Sequence, residues 1–298
     1  MSTTKKVLFQ GVATALVTPF KDGALDLKAY KKLLHLQKEG GVSALVIAGT
    51  TGESPTLTDK ERATLLEVAR EELGSSLPLI MGTGGNNTES VLKKSREAAA
   101  HGADGLLVVT PYYNKGTKSG IITHYLTLAE AVGLPICLYN VPSRTGVDLS
   151  LDMLETLADH ENIVALKEAN GSIDRVAETV ELLGERLAVY SGNDSQILPI
   201  LSLGGRGVIS VVSNIYPRQT ADICRTYFAQ DTESARTAQL RLLPFIKLLF
   251  AETNPAPIKA ALEIASICQN QLRLPMAPVS ESLYGKLQKA MHDLEKSF

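Results

Sequence analysis

The stretch Ile163-Val164-Ala165-Leu166-Lys167-Glu168 is a short apolar, β-prone run that ends in two charged residues. A run that is apolar on both faces is typical of a parallel strand covered by helices. Seven similar runs occur along the chain, at residues 12–17, 44–48, 79–81, 105–109, 136–139, 187–190 and 208–212. Successive runs start between 21 and 35 residues apart, which leaves room for one helix and two loops in each interval. The pattern therefore predicts eight parallel strands.

The intervals between these runs read as amphipathic helices with recognisable ends. Asp26 is placed to cap the first helix, and Thr58 with Glu61 forms a capping box at the start of the second, which Gly74 terminates. Eight alternating strand and helix units predict an α/β fold, a (β/α)8 TIM barrel. An open, doubly wound sheet is the alternative, but units of similar length favour closure.

The strand signal stops after about residue 214, and residues 217–298 read as helices interrupted by prolines. A helical segment of this length is enough for a small unit beside the barrel. We therefore predict a barrel at residues 1–225 and a C-terminal helical subdomain at residues 226–298.

Composition narrows the class of protein. Lys plus Arg number 30 and Asp plus Glu number 32, so the net charge of −2 gives no reason to expect a nucleic acid or an anionic membrane as partner. The sequence contains no run of 18 apolar residues, so it predicts no membrane-spanning helix. The three cysteines, at 137, 224 and 268, are odd in number and widely spaced, which fits a reducing cytoplasm. The five histidines show no metal-ligand spacing, so we expect no metal site.

Polar residues follow the predicted strands, and parallel strands of a barrel present their carboxyl ends at one mouth, where the active site lies. Lys167 follows an apolar run, so desolvation is expected to lower its pKa and expose a neutral amine that can attack a ketone. The alternative is a rim lysine that reaches into water. The other lysines, such as Lys93 and Lys94, sit in polar helical contexts that solvated faces explain.

Three further polar features surround this lysine in the predicted barrel. Tyr139 ends the neighbouring strand and could relay protons, or could simply place its hydroxyl in water. Arg144 lies in the loop beyond it and suits bidentate capture of a carboxylate, or is a surface arginine. Thr50 and Thr51, between glycines, can offer hydroxyl and N–H groups to a carboxylate, or only form a tight turn.

Taken together, three motifs carry a specific likeness: Gly49-Thr50-Thr51-Gly52-Glu53, Tyr139-Asn140-Val141-Pro142-Ser143-Arg144-Thr145-Gly146 and Gly207-Val208-Ile209-Ser210-Val211. The chain resembles the dihydrodipicolinate synthase and N-acetylneuraminate lyase superfamily from about residue 11 to the C-terminal helices. The resemblance implies a Schiff-base aldolase-type lyase in which Lys167 forms an imine with pyruvate. It also implies a proton relay of Tyr139, Thr50 and Tyr113 of the partner subunit.

The resemblance further implies the substrate-binding residues. Thr51 would hold the pyruvate carboxylate, with Ile209 and Gly192 lining the same pocket. Arg144 points to the synthase branch, in which it takes the carboxylate of L-aspartate 4-semialdehyde. The implied reaction gives 4-hydroxy-tetrahydrodipicolinate for lysine and diaminopimelate biosynthesis. It needs no metal or organic cofactor, and the implied assembly is a homotetramer built as a dimer of dimers.

Two other readings remain open from the residues. A pyruvate-dependent lyase of a sugar acid, such as N-acetylneuraminate or a 2-keto-3-deoxy acid, is the alternative activity, although such an acceptor has no second carboxylate for Arg144. A non-catalytic keto-acid sensor on the same barrel is the alternative from another class.

The sequence departs from the resemblance at one regulatory position. Lysine-inhibited members carry an allosteric site with histidine and glutamate ligands. The matching positions hold Asp59, Arg62 and, for the glutamate, Ser90. A cation at Arg62 would repel the ammonium groups of lysine, so we predict weak or absent feedback inhibition.

Overall fold

The protein is described by a computed structural model that covers residue 5 and residues 7–296. The remaining seven residues, which belong to the ends of the two predicted units, lie outside the described residues. The barrel strands are β1 (Gly11–Ala15), β2 (Ala44–Ile47), β3 (Leu79–Gly82), β4 (Gly105–Val109), β5 (Ile136–Asn140), β6 (Ile163–Glu168), β7 (Ala188–Ser191) and β8 (Gly207–Ser210).

The eight strands close into one parallel barrel. Each strand pairs with the next along the chain, and β8 returns to pair with β1, with Val12 opposite Val208. A small antiparallel pair, Phe20–Lys21 with Ala24–Leu25, follows β1. The predicted (β/α)8 barrel is confirmed, and each of the eight predicted runs overlaps a strand.

The helices lie between and after the strands. They are α1 (Leu27–Glu39), α2 (Asp59–Leu73), α3 (Thr88–Ala100), α4 (Lys118–Ala131), α5 (Leu151–Ala158), α6 (Ile173–Leu183), α7 (Ile197–Ser202), α8 (Pro217–Phe228), α9 (Thr232–Leu249), α10 (Ala256–Ile264) and α11 (Glu281–Glu295), with a single helical turn at Pro142–Thr145. The predicted caps are present: Asp26 accepts from Ala29 N, and Thr58 and Glu61 form the reciprocal capping box. Both caps satisfy N–H groups that a helix start leaves without partners.

Two apolar layers hold the barrel. Inward-facing side chains fill its centre, among them Val46, Leu107, Tyr139 and Ile209, while a larger layer packs between the strands and the outer helices. Because side chains alternate along a strand, each strand contributes to both layers. This packing fixes the strand ends that carry the polar residues.

The C-terminal helices pack on the barrel's outer layer and on one another. Helix α9 packs against α8 and α11, and α10 packs against α11. Helix α8 runs without a break through residues 225 and 226, where the sequence analysis places a boundary, so a boundary at that point falls inside a helix. The division into two units stays a prediction. Within the described part of the chain, no helix combines the length and apolar character needed to cross a membrane.

Candidate active site

Three neighbouring strands bring Lys167 and two tyrosines to one level inside the barrel. Lys167 on β6 lies opposite Tyr139 on β5 and Tyr190 on β7 in the strand register. Ala165, two residues before Lys167, belongs to the inner apolar cluster, so Lys167 also points inward. The alternative of a lysine that reaches into water is wrong, because the Lys167 side chain is only 5% exposed.

The Lys167 ammonium lies against an aromatic face. Its Nζ is 4.2 Å from the centroid of the Tyr139 ring, a distance typical of a cation–π contact. Below this pair, burial raises the pKa of the Cys137 thiol to about 12, although the charge of Lys167 acts in the opposite direction. That thiol stays protonated at neutral pH, so Cys137 does not act as a nucleophile beside Lys167.

Gly192 forms the wall behind Lys167. A Cβ at this position would come within 2.9 Å of Glu168 O and 3.2 Å of Lys167 Cε. The absent side chain therefore leaves the space that the lysine stem occupies. Gly192 therefore lies beside Lys167, and its role as a pocket-lining residue stays a prediction.

A cavity of about 240 Å³ opens next to this pair. Three of the predicted site residues, Thr50, Tyr139 and Arg144, line it together. The rest of the lining comes from Ala48, Gly49, Ser54, Pro55, Gly82, Gly84, Lys94, Leu107, Val109, Tyr112, Val141 and Thr145. A small apolar-walled cavity with few convergent polar groups is the usual form of a small-molecule site.

The segment between α9 and α10 contacts two of the predicted carboxylate-binding residues through Asn254. The Asn254 amide Nδ2 donates to Thr51 Oγ1 at 3.0 Å, and Arg144 Nη2 donates to the Asn254 backbone oxygen at 3.2 Å. Thr51 is only 2% exposed, so its hydroxyl is held in a fixed direction. Asn254 therefore joins the loop after β2 to the turn after β5.

The loop after β2 is fixed again by a buried ion pair. Lys259 on α10 donates to Glu53, and both side chains are buried. The Glu53 carboxylate also accepts from Arg273 N at 3.0 Å. Such a pair is stable only when further hydrogen bonds satisfy it, and the Gln271 backbone oxygen accepts from Lys259 Nζ at 2.7 Å.

The same loop stores backbone strain at its two ends. Ala48 and Glu53 have φ angles of 52° and 55°, in the left-handed region that residues with a Cβ rarely adopt. Such conformations persist only when the surroundings enforce them, and they cluster at functional sites. Here the enforcing contacts are those of Glu53 with Lys259 and Arg273.

Asp194 braces the end of β8 from the loop after β7. One carboxylate oxygen accepts from the backbone N–H groups of Val211 and Val212, each at 3.0 Å, while the other has no hydrogen-bond partner among the described residues. Burial raises the pKa of this carboxyl, against the lowering effect of its hydrogen bonds and of the charge of Lys167. The bracing fixes Ile209, which lies within the inner cluster beside Tyr139.

Five predicted site residues are not part of the cavity lining, namely Lys167, Thr51, Ile209, Gly192 and Tyr113, and of these only Tyr113 is exposed. Tyr113 is 90% exposed, with a left-handed φ of 70°, and does not line the cavity of its own chain. Tyr139 and Thr50 share the cavity, yet no hydrogen bond joins their hydroxyl groups within the described chain. The relay through Thr50 and Tyr113 therefore stays a prediction.

Sequence reasoning missed two residues of this region. Lys94, assigned with Lys93 to a solvated helix face, is half-buried and lines the cavity, so that assignment is wrong for Lys94. Asn254 follows no strand and gives no local signal, because its contact with Thr51 spans 203 residues. For Lys94, an i+3 spacing from the buried Val91 is the signal that could have placed it near the barrel.

The described residues contain no group of three or more His, Cys, Asp and Glu side chains arranged to hold a metal ion. In and beside the cavity lie one buried amine, one neighbouring phenol, a threonine pair and an arginine. These are the groups needed to form an imine with a keto acid, to move protons and to bind carboxylates.

Comparisons with known proteins give the same picture over nearly the whole chain. The Dihydrodipicolinate synthetase family matches residues 8–294. The 4-hydroxy-tetrahydrodipicolinate synthase of Thermotoga neapolitana is 48% identical, over 92% of this chain and 95% of its own. The crystal structure of dihydrodipicolinate synthase from Thermotoga maritima is 44% identical, with a TM-score of 0.95, and covers 97% of this chain and 99% of its own. A structure described as the first monomeric dihydrodipicolinate synthase variant shares these values for identity and TM-score, with 97% of each chain covered.

Proposed function

The chain belongs to the dihydrodipicolinate synthetase family, and on that basis we propose that it condenses pyruvate with L-aspartate 4-semialdehyde to give 4-hydroxy-tetrahydrodipicolinate. The single observation that carries the proposal is the buried Lys167 amine, stacked on Tyr139 beside a cavity that Thr50 and Arg144 line. The activity serves lysine and diaminopimelate biosynthesis, and we place it in the cytoplasm.

The first step is imine formation at Lys167. Its neutral amine attacks the pyruvate ketone, and loss of water gives a protonated imine. The positive imine nitrogen acidifies the adjacent methyl group, since the electrons of the broken C–H bond move toward it. Tyr139 is the group placed to accept and return this proton, because its ring lies against the Lys167 side chain.

The pyruvate carboxylate is bound at the loop after β2. The Thr51 hydroxyl already accepts a hydrogen bond from Asn254, which leaves its own proton directed elsewhere. A hydroxyl held in this way can donate to a carboxylate without first losing rotational freedom. Gly192 and Ile209 then bound the space around the carbon atoms of pyruvate.

The enamine attacks the aldehyde carbon of the second substrate and forms the new carbon–carbon bond, while the aldehyde oxygen takes up a proton and becomes a hydroxyl group. Arg144 lines the same cavity, and its guanidinium suits the carboxylate of aspartate semialdehyde. The amino group of that substrate then displaces Lys167 by transimination, which closes the ring and frees the lysine. No step in this sequence requires a metal or an organic cofactor.

Tyr113 completes the relay in the assembled protein. It is too exposed to act in its own chain's cavity, and a phenol of 90% exposure with a left-handed backbone suits insertion into a second copy. We propose that the chain forms a dimer in which Tyr113 of the partner subunit reaches Thr50, and that two dimers form a tetramer.

The proposal is tested by pyruvate consumption with three separate acceptors: aspartate semialdehyde, N-acetylmannosamine and glyceraldehyde. We expect turnover only with aspartate semialdehyde, and none in a Lys167→Ala variant. Lys286→Ala, at an exposed lysine of α11, is the matched control. Turnover with a sugar aldehyde instead would move the chain to the sugar-acid lyases, and binding of pyruvate without any turnover would indicate a sensor.

A further inference from the structure

The turn that carries Arg144 lies beyond the end of β5. This Arg144 turn (residues 141–148) follows the last residue of the strand and includes Val141 and Thr145, which line the cavity. Arg144 is exposed, and its guanidinium makes a single hydrogen bond within the described chain, to a backbone oxygen. The place of the guanidinium at the cavity therefore depends on what holds the turn.

The side chain of Asn140 ties the far end of this turn back to β5. Asn140 is the last residue of the strand and is fully buried. Its Oδ1 accepts from Leu149 N at 3.1 Å, and its Nδ2 donates to Asp148 Oδ1 at 2.6 Å. Arg175 on α6 donates to the Leu149 backbone oxygen as well. One amide that both donates and accepts therefore closes the turn and fixes the distance between its ends.

Glu168 fixes the direction of that amide. Both carboxylate oxygens of Glu168 accept from Asn140 Nδ2 at 3.0 Å, and Oε1 also accepts from Asn170 N at 2.8 Å. The Glu168 side chain is buried, so these contacts are shielded from water. An amide has two ends of similar shape, of which only the nitrogen donates, whereas a carboxylate can only accept. Glu168 therefore selects the orientation of Asn140 in which Oδ1 faces Leu149 N.

This polar pair, Asn140 and Glu168, lies directly behind the reacting groups. Tyr139 lies opposite Lys167 in the register of β5 and β6. Asn140 lies opposite Glu168, at the next position along both strands. Because side chains alternate along a strand, the first pair faces the barrel interior and the second faces the outer helices. Strand pairing holds the first pair in place, whereas the Arg144 turn lies beyond it, so loss of the Asn140–Glu168 contact should displace the turn more than the nucleophile.

The charge of Glu168 supplies orientation rather than stability. Burial is the main influence on this carboxyl and raises its pKa, whereas the hydrogen bonds from Asn140 and Asn170 lower it. The charge of Asp148, which shares the Asn140 amide, raises that pKa further. A neutral glutamine of the same shape would avoid the repulsion between the two carboxylates. It could turn its own amide nitrogen toward Asn140, however, and would then no longer select the orientation of that amide.

We propose that Asn140 and Glu168 are positioning residues for the second substrate. They touch no substrate, but they hold the Arg144 turn so that its guanidinium meets the carboxylate of the acceptor. They act after imine formation, because pyruvate is bound by Lys167 and the loop after β2, neither of which belongs to the turn. The inference rests on the proposed function, since it concerns the second substrate of that reaction.

The test is steady-state kinetics of Glu168→Gln, with aspartate semialdehyde and pyruvate varied in turn. We expect the KM for aspartate semialdehyde to rise by roughly tenfold, the size expected when one charge-assisted contact to a carboxylate is lost. The KM for pyruvate and the rate of imine formation, trapped with borohydride, should stay within about twofold of the wild type. Glu161→Gln removes an equal charge from an exposed position just before β6, and this matched control should behave as the wild type.

A second variant reaches the same contact from an exposed position. Asp148→Ala removes one acceptor of Asn140 Nδ2 and should also raise the KM for aspartate semialdehyde. It keeps the inference testable where Glu168→Gln folds poorly, because the Asp148 side chain is not part of the core.

Coupling to Arg144 separates a positioning role from a general loss of structure. In an Arg144→Ala background, Glu168→Gln should have no further effect on kcat/KM for aspartate semialdehyde, because the guanidinium that it positions is absent. An effect as large in that background as in the wild type would overturn the inference. Equal fold-changes in KM for the two substrates would overturn it as well.

The same kinetics distinguish failure of this inference from failure of the proposed function. A wild type that uses aspartate semialdehyde, with an unchanged KM in folded Glu168→Gln and Asp148→Ala proteins, would overturn the inference alone. A wild type that does not turn over aspartate semialdehyde would overturn the proposed function, and the inference with it.

Discussion

At the scale of single residues, the catalytic requirement is an amine that is held out of bulk water and fixed in direction. Lys167 meets it through burial inside the barrel and through contact with the ring of Tyr139. The missing side chain at Gly192 allows this position. A lysine on the barrel rim would satisfy neither condition, because its ammonium would be free in water.

Arg62 carries a regulatory prediction at the same scale. Its guanidinium is buried and bound to the wall of the cavity, so a bound lysine would place its ammonium groups beside a fixed cation. We expect little inhibition when free lysine is titrated into the synthase assay. Half-inhibition at submillimolar lysine would contradict this prediction, and arginine in the same assay controls for ionic strength.

His124 predicts a loss of stability in mild acid. Burial lowers its pKa from 6.5 to about 4, and its Nε2 is buried with no hydrogen-bond partner among the described residues. As the pH falls, the imidazole of the unfolded chain takes up a proton before the buried imidazole of the folded chain does. The free energy of unfolding that His124 contributes is therefore fully present above pH 6.5 and is lost as the pH falls toward 4. The loss reaches about 2 kcal/mol at pH 5.

Urea unfolding at pH 7 and pH 5 measures this effect. In His124→Gln, which keeps a polar partner for Thr88, the free energy of unfolding should fall less between the two pH values than in the wild type. All other titrating groups are common to both proteins. Equal losses in the two proteins would show that His124 is not responsible.

At the scale of elements, the loop after β2 depends on α10. Lys259→Met leaves the Glu53 carboxylate buried without its partner, so we expect a loss of about 3–5 kcal/mol in the free energy of unfolding. Adding Glu53→Gln removes the uncompensated charge and should recover part of that loss. Chemical denaturation measures both variants, with Lys286→Met on α11 as the exposed control. A Lys259→Met protein as stable as this control would refute the role of the pair.

The sequence was sufficient to predict the barrel elements and the residues at their ends. These predictions used local signals: apolar runs such as 163–166, capping residues such as Thr58, and the position of Lys167 directly after its run. The contacts of Asn254 with Thr51 and of Lys259 with Glu53 were not predictable, because they join residues more than 200 positions apart. Lys94 was misassigned because a helix face that lines a cavity shows the same polarity as a face in water.

At the scale of the whole molecule, assembly decides whether the site is complete. If Tyr113 acts in the partner's cavity, Tyr113→Phe and Lys167→Ala should each have very low activity, because each lacks one member of every site. A mixed dimer of the two variants contains one site with both native residues. Unfolding and refolding the mixture should therefore restore part of the wild-type rate, which neither variant shows alone. Unrestored activity in a mixture shown to contain mixed dimers would place Tyr113 in its own chain's site, or outside the mechanism.

The most direct test of the central claim is borohydride reduction in the presence of pyruvate, followed by peptide mass mapping. We predict one reduced pyruvate adduct per chain, on the peptide that contains Lys167, and none in Lys167→Arg. Lys94 lines the same cavity and is the internal comparison. An adduct on Lys94, or no adduct on Lys167 in an active preparation, would contradict imine formation at Lys167.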